Sequence, residues 1–208
     1  MRNQFSIHGL LLTGFMLFIS HAAHADYVAE MIIFEPTSTQ NWLDEYWPLL
    51  PAKLDTQDKD TVLGSSNSTR HLLGDGQLSL KETAKRLTST GEYRILAHTA
   101  WSQGAEERST AKNTLLPEGM SSSGLPLQAK IKLYKQKFEH VDIEVQLERQ
   151  IPKGLIAEFA QKRKLSLNDV GDTWRFRLQE SRKVKPGELQ YFDHPMFGIL
   201  LMIREGGA

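Results

Sequence analysis

Between Leu127 and Leu147 apolar and polar residues alternate in two runs. Leu127, Ala129, Ile131 and Leu133 alternate with Gln128, Lys130, Lys132 and Tyr134. Val141, Ile143, Val145 and Leu147 alternate with His140, Asp142, Glu144 and Gln146. A period of two is the signature of a strand, whose successive side chains point to opposite faces. The pattern predicts two antiparallel strands with one dry face and one wet face. The wet face of the first is basic and that of the second acidic, which predicts cross-strand ion pairing.

Other segments share this β character. Tyr27 to Glu35 is dense in β-branched and aromatic residues and stops at Pro36, as a buried strand would. Tyr93 to Trp101 reads as a second strand beside it. Between them Leu80, Ala84 and Leu87 recur at helical spacing. Ser79 is placed to cap that helix, with Glu82 at the capping-box position. Strand, helix and strand together suggest a crossover connection. Trp42, Tyr46 and Trp47 predict one or two helical turns with an aromatic face, and Leu155 to Arg163 has further helical potential. Residues 55–76 and 102–125 are polar and rich in Ser and Gly, and read as loops.

Toward the end of the chain, Trp174, Phe176 and Leu178 face one way, and Arg175, Arg177 and Gln179 the other. Lys185-Pro186-Gly187-Glu188 has Pro and Gly in the order of a type II turn. Phe197 to Ile203 is continuously apolar and belongs centrally in a sheet. The expected fold class is α+β: a largely antiparallel β-sheet with a C-terminal meander and one or two packed helices. The arginines before the Pro-Gly turn and the Tyr191–His194 segment after it should be neighbours across one hairpin.

The first 25 residues stand apart from this pattern. Arg2 precedes an apolar run from Gly9 to Ile19, and Ala23-His24-Ala25 is a small-x-small cleavage site. These are the parts of a secretory signal peptide. The run is too short for a bilayer, which needs about 20 residues, so no membrane insertion is expected after cleavage. One domain is expected over residues 26–208. There is no cysteine, which excludes disulfides, thiolate metal sites and a diacylated lipoprotein anchor. The bacterial periplasm fits an exported chain of this kind. The 25 Lys and Arg, one of them Arg2, face 25 Asp and Glu, so the remainder carries one net negative charge. That balance argues against nucleic acid and against adsorption to an anionic membrane.

Candidate chemistry is sparse. His71, His98, His140 and His194 show no metal-ligand spacing. Asp193-His194 is the most suggestive polar pair, but no nucleophile elbow accompanies it. Neighbours on an extended chain also point to opposite faces. Asp193 could equally form an Asx turn, with His194-Pro195 opening the next strand. Arg177, Arg182 and Lys183, near Tyr191, could bind a carboxylate or a sugar-peptide ligand, or form a solvated strand face. Trp101, with Ser102-Gln103 following, could stack on a sugar ring or sit in the core. A wall hydrolase would need a carboxylate pair or a metal in a cleft, and no motif signals one.

Three segments together resemble one family. They are Tyr27 to Glu35; Tyr93-Arg94-Ile95-Leu96-Ala97-His98-Thr99-Ala100-Trp101-Ser102-Gln103; and Phe176 to Lys183 followed by Gly187-Glu188-Leu189, Tyr191, Asp193-His194-Pro195 and Phe197-Gly198. The chain resembles the CsiV family of periplasmic peptidoglycan-binding proteins of Gram-negative bacteria. The likeness covers most of the chain, with loops 52–79 and 104–125 outside it. Gly104 stands where the family is expected to have Pro, and Lys183 where Arg is commoner.

The resemblance implies a non-enzymatic peptidoglycan binder that supports wall synthesis and needs no cofactor. It also implies a link to the outer-membrane lipoprotein that activates a bifunctional penicillin-binding protein. On this reading Arg177 and Arg182 would meet stem-peptide carboxylates. Tyr191, His194, Trp101 and Gln103 would contact the ligand beside them. A protein–protein adaptor is the alternative, marked by an exposed apolar patch that could include Trp42 and Trp47.

Overall fold

Tyr27, Ala29, Met31 and Ile33 alternate inward along the first strand, and everything else in the fold is arranged around that strand. The computed structural model describes residues 26–206 apart from 52, 58, 59 and 67. The expected signal segment, residues 1–25, lies outside the described residues. In chain order the elements are β1 (Asp26–Pro36), β2 (Thr61–Val62), β3 (His71–Leu72), α1 (Lys81–Thr88), β4 (Tyr93–Gly104), β5 (Thr114–Leu115), β6 (Leu127–Lys135), β7 (Glu139–Gln150), α2 (Ile156–Arg163), α3 (Leu167–Val170), β8 (Thr173–Lys183), β9 (Leu189–His194) and β10 (Phe197–Glu205).

The expected class holds: mostly antiparallel β-structure with a few short helices. The strands, however, are divided between two sheets, in the orders β3-β4-β1-β10-β9 and β2-β5-β6-β7-β8. The inner faces share one core. Met31, Ile33, Trp101, Ile199 and Leu201 come from the first sheet, and Ile131, Leu133, Ile143, Val145, Leu147 and Phe176 from the second. On the other face of the first sheet, Ile32 and Phe34 pack with Leu80 and Ala84 at α1. The layers are therefore helix, sheet, sheet, and each covered face carries an apolar stripe.

The β6–β7 hairpin matches the alternation in the sequence. Leu127 pairs with Leu147, Ile131 with Ile143 and Lys130 with Glu144. The last pair closes as an ion pair at 2.6 Å, the cross-strand contact expected of a basic strand beside an acidic one. β4 lies beside β1, as expected, but runs antiparallel to it, so α1 does not form a parallel crossover. β10 sits inside its sheet, between β1 and β9.

The end of the chain departs from a single meander. β8 pairs with β7 and β9 pairs with β10, so β8 and β9 belong to different sheets. The switch takes three residues. The Val184 amide donates to the Glu139 carbonyl of the second sheet at 2.9 Å, and the Gly187 amide to the Ile203 carbonyl of the first at 2.7 Å. Gly187 makes the turn with φ of +83°, and the Glu188 amide donates back to Lys185 at 3.1 Å. This is the predicted Pro-Gly turn, used to change sheets rather than to close a hairpin.

α1 also begins differently from expectation. Ser79 does not cap it with its own side chain. The Glu30 carboxylate, reaching from β1, accepts the Ser79 amide and hydroxyl at 2.8 and 2.6 Å and the Leu80 amide at 2.8 Å. A fully buried carboxylate thus accepts the amides of the two residues that lead into the helix.

Candidate functional site

The segment after β1 forms a strap over the edge of the second sheet. Trp42 and Trp47 are both buried under it. Trp42 packs edge-on against Phe159 and Phe176, and Trp47 against Phe176. The Trp47 indole N–H donates to the Trp42 carbonyl at 3.2 Å. Two cations at the end of α2 hold the strap's backbone. Lys162 donates to the Leu43 carbonyl at 2.7 Å, and buried Arg163 donates to the Glu45 carbonyl at 3.2 Å. Burial lowers the Arg163 guanidinium to about 10. Farther on, Gln146 donates to the Pro51 carbonyl at 2.9 Å and Lys130 to the Asp55 carbonyl at 2.8 Å. The strap is fastened along its length. Trp42 and Trp47, which only the adaptor alternative would expose, are core residues, because they are the apolar faces by which it docks.

Between the strap and β8 lies a cleft of about 330 Å³. Tyr46, Pro48 and Leu50 form its apolar rim, and Arg175, Arg177 and His194 its polar wall. Tyr46 is 74% exposed. Arg175 pairs with Glu148 at 2.8 Å, and Arg177 pairs with Glu144. Glu144 also takes Lys130. Each arginine of the wall is thus paired with a carboxylate, and Glu144 is shared with Lys130, which does not line the cleft. Two further depressions, of about 470 and 320 Å³, follow in series. Arg175 borders the first two, and Lys53, Glu118 and Gln128 border the last two.

His194 reaches the cleft from the end of β9. Its ring packs between Trp47 and Phe197, at 5.3 and 4.8 Å. Burial pulls its pKa down to about 4, against a smaller opposing pull from Asp193. It is neutral at neutral pH. The Met196 amide donates to Nδ1 at 3.1 Å, which leaves the proton on Nε2. The tight turn after β9 is thus held by His194, not by an Asx turn of Asp193. Asp193 points the other way and accepts the Tyr191 hydroxyl at 2.6 Å. The adjacent pair occupies opposite faces of the strand and forms no catalytic dyad.

The remaining sequence candidates scatter. Tyr191 lies on the outer face of the first sheet, stacked on Phe34 at 6.2 Å. Phe34 in turn meets Tyr93 edge-on at 5.3 Å. Burial, then the Asp193 carboxylate, pushes the Tyr191 phenol well above its ordinary value. Arg182 spends its donors internally, two on Glu180 and one on the Tyr191 carbonyl at 2.9 Å. Trp101 is 0% exposed and donates to the Gln103 side chain at 2.9 Å, and Gln103 is buried beside it. Neither reaches solvent, so neither can stack on a sugar. A Trp followed by Ser-Gln resembles a strand end, but β4 continues to Gly104 and keeps both residues inside.

Arg177 and His194 are therefore the two sequence candidates brought into one cleft. Tyr46 was legible as part of the aromatic cluster, and Arg175 as the neighbour of Arg177 on the outward face of β8. Pro48 and Leu50 carry no local signal.

Among the described residues no three His, Asp or Glu side chains gather as a metal would require, and no helix is long and apolar enough to cross a membrane. No curated protein and no solved structure matches the chain. The family model described as "Peptidoglycan-binding protein, CsiV" matches residues 6–205, nearly its whole length. The chain belongs to the CsiV family.

Proposed function

We propose that this protein is exported to the periplasm, binds peptidoglycan non-covalently and supports wall synthesis without catalysing a reaction on it. The family description supports the binding. The observation that carries the reading to particular residues is the cleft beside β8, where the partly exposed guanidinium groups of Arg175 and Arg177 face the apolar rim of Tyr46, Pro48 and Leu50. Guanidinium groups suit the carboxylates of stem peptides. An exposed phenol ring beside them suits the apolar face of a sugar.

Sacculus co-sedimentation tests the reading. Wild type should pellet with sacculi above a periplasmic control. Arg177→Ala and Tyr46→Ala should each weaken retention by about five- to tenfold. Absence of wild-type retention sinks it.

One observation favours a second reading. Leu49 and Tyr46, three residues apart on the strap, are 81% and 74% exposed, a pair of apolar side chains that a protein contact would cover. On that reading the chain is an adaptor for the lipoprotein that activates a bifunctional penicillin-binding protein. Cross-linking would then capture that lipoprotein, and Leu49→Asp would abolish the cross-link while sacculus retention stays at background.

A further inference from the structure

The geometry points to a second contact surface, on the outer face of the first sheet, that takes the sugar rings of the glycan chain and not its peptides. It rests on the peptidoglycan reading above and adds which part of the polymer is held, and where.

The surface is built around Phe34. A β-bulge between Ile33 and Phe34 shifts the register with β4, which places Tyr93 on the same face as Phe34. Across the sheet Gly198 pairs with Phe34. A Cβ at Gly198 would come within 2.4 Å of the Phe34 ring, so the ring lies directly on the bare backbone of β10. Lying there, it braces one tyrosine on each side. Tyr93 and Tyr191 remain 38% and 48% exposed while Phe34 itself is buried. Two tyrosines separated by almost a hundred residues are thus held in fixed orientation on a flat sheet, beside the part that α1 covers.

The polar groups indicate the occupant. Asp193 holds the Tyr191 hydroxyl, so a carboxylate and a phenol oxygen sit at the edge of the ring. Arg94, next to Tyr93, turns its guanidinium to Glu35 at 3.0 Å instead. A pyranose offers a C–H face to an aromatic ring and hydroxyl and amide donors around its rim. A carboxylate accepts such donors strongly and repels the acidic stem peptides. The arginines of the cleft have the opposite charge preference. Size argues against a protein here: a fully exposed aromatic side chain offers about 200 Å², so the two half-exposed tyrosines, together with half-exposed Leu189 on the same face of β9, offer roughly 300 Å², well short of the ~800 Å² per partner of a stable interface.

The test compares intact sacculi with glycan strands stripped of peptides by an amidase, using the mature chain. Wild type should bind both. Tyr93→Ala/Tyr191→Ala should lose about tenfold or more in affinity for stripped strands. As a check that needs no variant, stripped strands should protect Tyr93 of wild type from nitration by tetranitromethane. Wild type that binds sacculi but not stripped strands overturns this inference and leaves the peptidoglycan reading standing. So does unchanged nitration with strands bound, or capture of a protein through these tyrosines with no effect on strand binding. Wild type that binds neither material overturns both.

Discussion

Arg182 on β8 donates through Nη1 to the backbone carbonyl of Tyr191 on β9 at 2.9 Å, and its guanidinium lies 4.1 Å above the Phe192 ring. The two strands belong to different sheets, so this one side chain closes the seam between the sheets at their edge. A residue that reads as a ligand contact in sequence is a staple in the fold.

Removing that staple should therefore cost stability. Arg182→Ala forfeits a cation–π contact and a hydrogen bond to a carbonyl, together about 1–2 kcal/mol for a partly exposed group. Arg182→Lys should recover less than half, because an ammonium cannot serve Glu180 and the Tyr191 carbonyl in one plane. Urea unfolding measures both. Sacculus retention by the folded Arg182→Ala protein should equal wild type, and lost retention at unchanged stability would return Arg182 to the binding surface.

Glu30 is the second pressure point. Burial by itself would raise its carboxyl, but hydrogen bonds from Ser79, the Leu80 amide and His98 outweigh that and lower it. Every neighbouring group donates, so Glu30→Gln would turn an amide N–H₂ toward donors. The expected loss is about 2–4 kcal/mol. Because the folded pKa is depressed, the carboxylate's contribution is complete above its ordinary value of 4.5 and is lost as pH falls through the folded pKa. The variant should show a shallower acid limb in a urea series between pH 7 and 3. An unchanged midpoint at pH 7 would contradict the account.

His194 adds a separate pH dependence at higher pH. Its folded pKa of about 4 lies below the ordinary 6.5, so the unfolded chain binds a proton that the folded chain refuses. Stability is fully present above about pH 6.5 and declines as pH drops toward 4. At ~1.4 kcal/mol per unit, and discounted for the open side of the cleft, the loss by pH 5 is about 1–2 kcal/mol. His194→Gln should be less stable than wild type at pH 7, with the gap closing by that amount at pH 5. Parallel stability curves for the two proteins would show that the imidazole does not titrate as described.

Gly198→Ala tests the seat of Phe34. The new methyl group would fall 2.4 Å from the ring edge, so Phe34 must lift, at about 1–3 kcal/mol. Phe34→Ala in the same background should relieve the clash, making the two substitutions less than additive in a double-mutant cycle. Strict additivity would mean that the ring does not rest on Gly198.

Some of this was legible in the residues alone. The faces of β6, β7 and β8 follow from a period of two, which needs no partner to be read. The Pro186-Gly187 turn follows from backbone chemistry, and helix α2 from local spacing. For Trp101 the residues alone left a core position and sugar stacking both open, and the burial of Gln103 was not legible, because both depend on β4 running on to Gly104. The cap of α1 was misassigned to Ser79, since its real acceptor lies 49 residues earlier in the chain. The cleft was half visible, as Arg177 and His194, while its Pro48 and Leu50 rim depends on where the strap is tied down.

Alternation, turn chemistry and the absence of cysteine determined by themselves that this chain builds antiparallel strands with one dry face, connected by short helices and held without disulfides. These properties depend on neighbours a few residues away, so they are written locally. The tertiary structure alone decided that the strands divide between two sheets, that Arg182 bridges them, and that Phe34, Tyr93 and Tyr191 meet. Each of these depends on which distant backbone supplies the hydrogen bonds and which distant side chain fills the space. Many partners satisfy the same local pattern, and only the packed core selects among them.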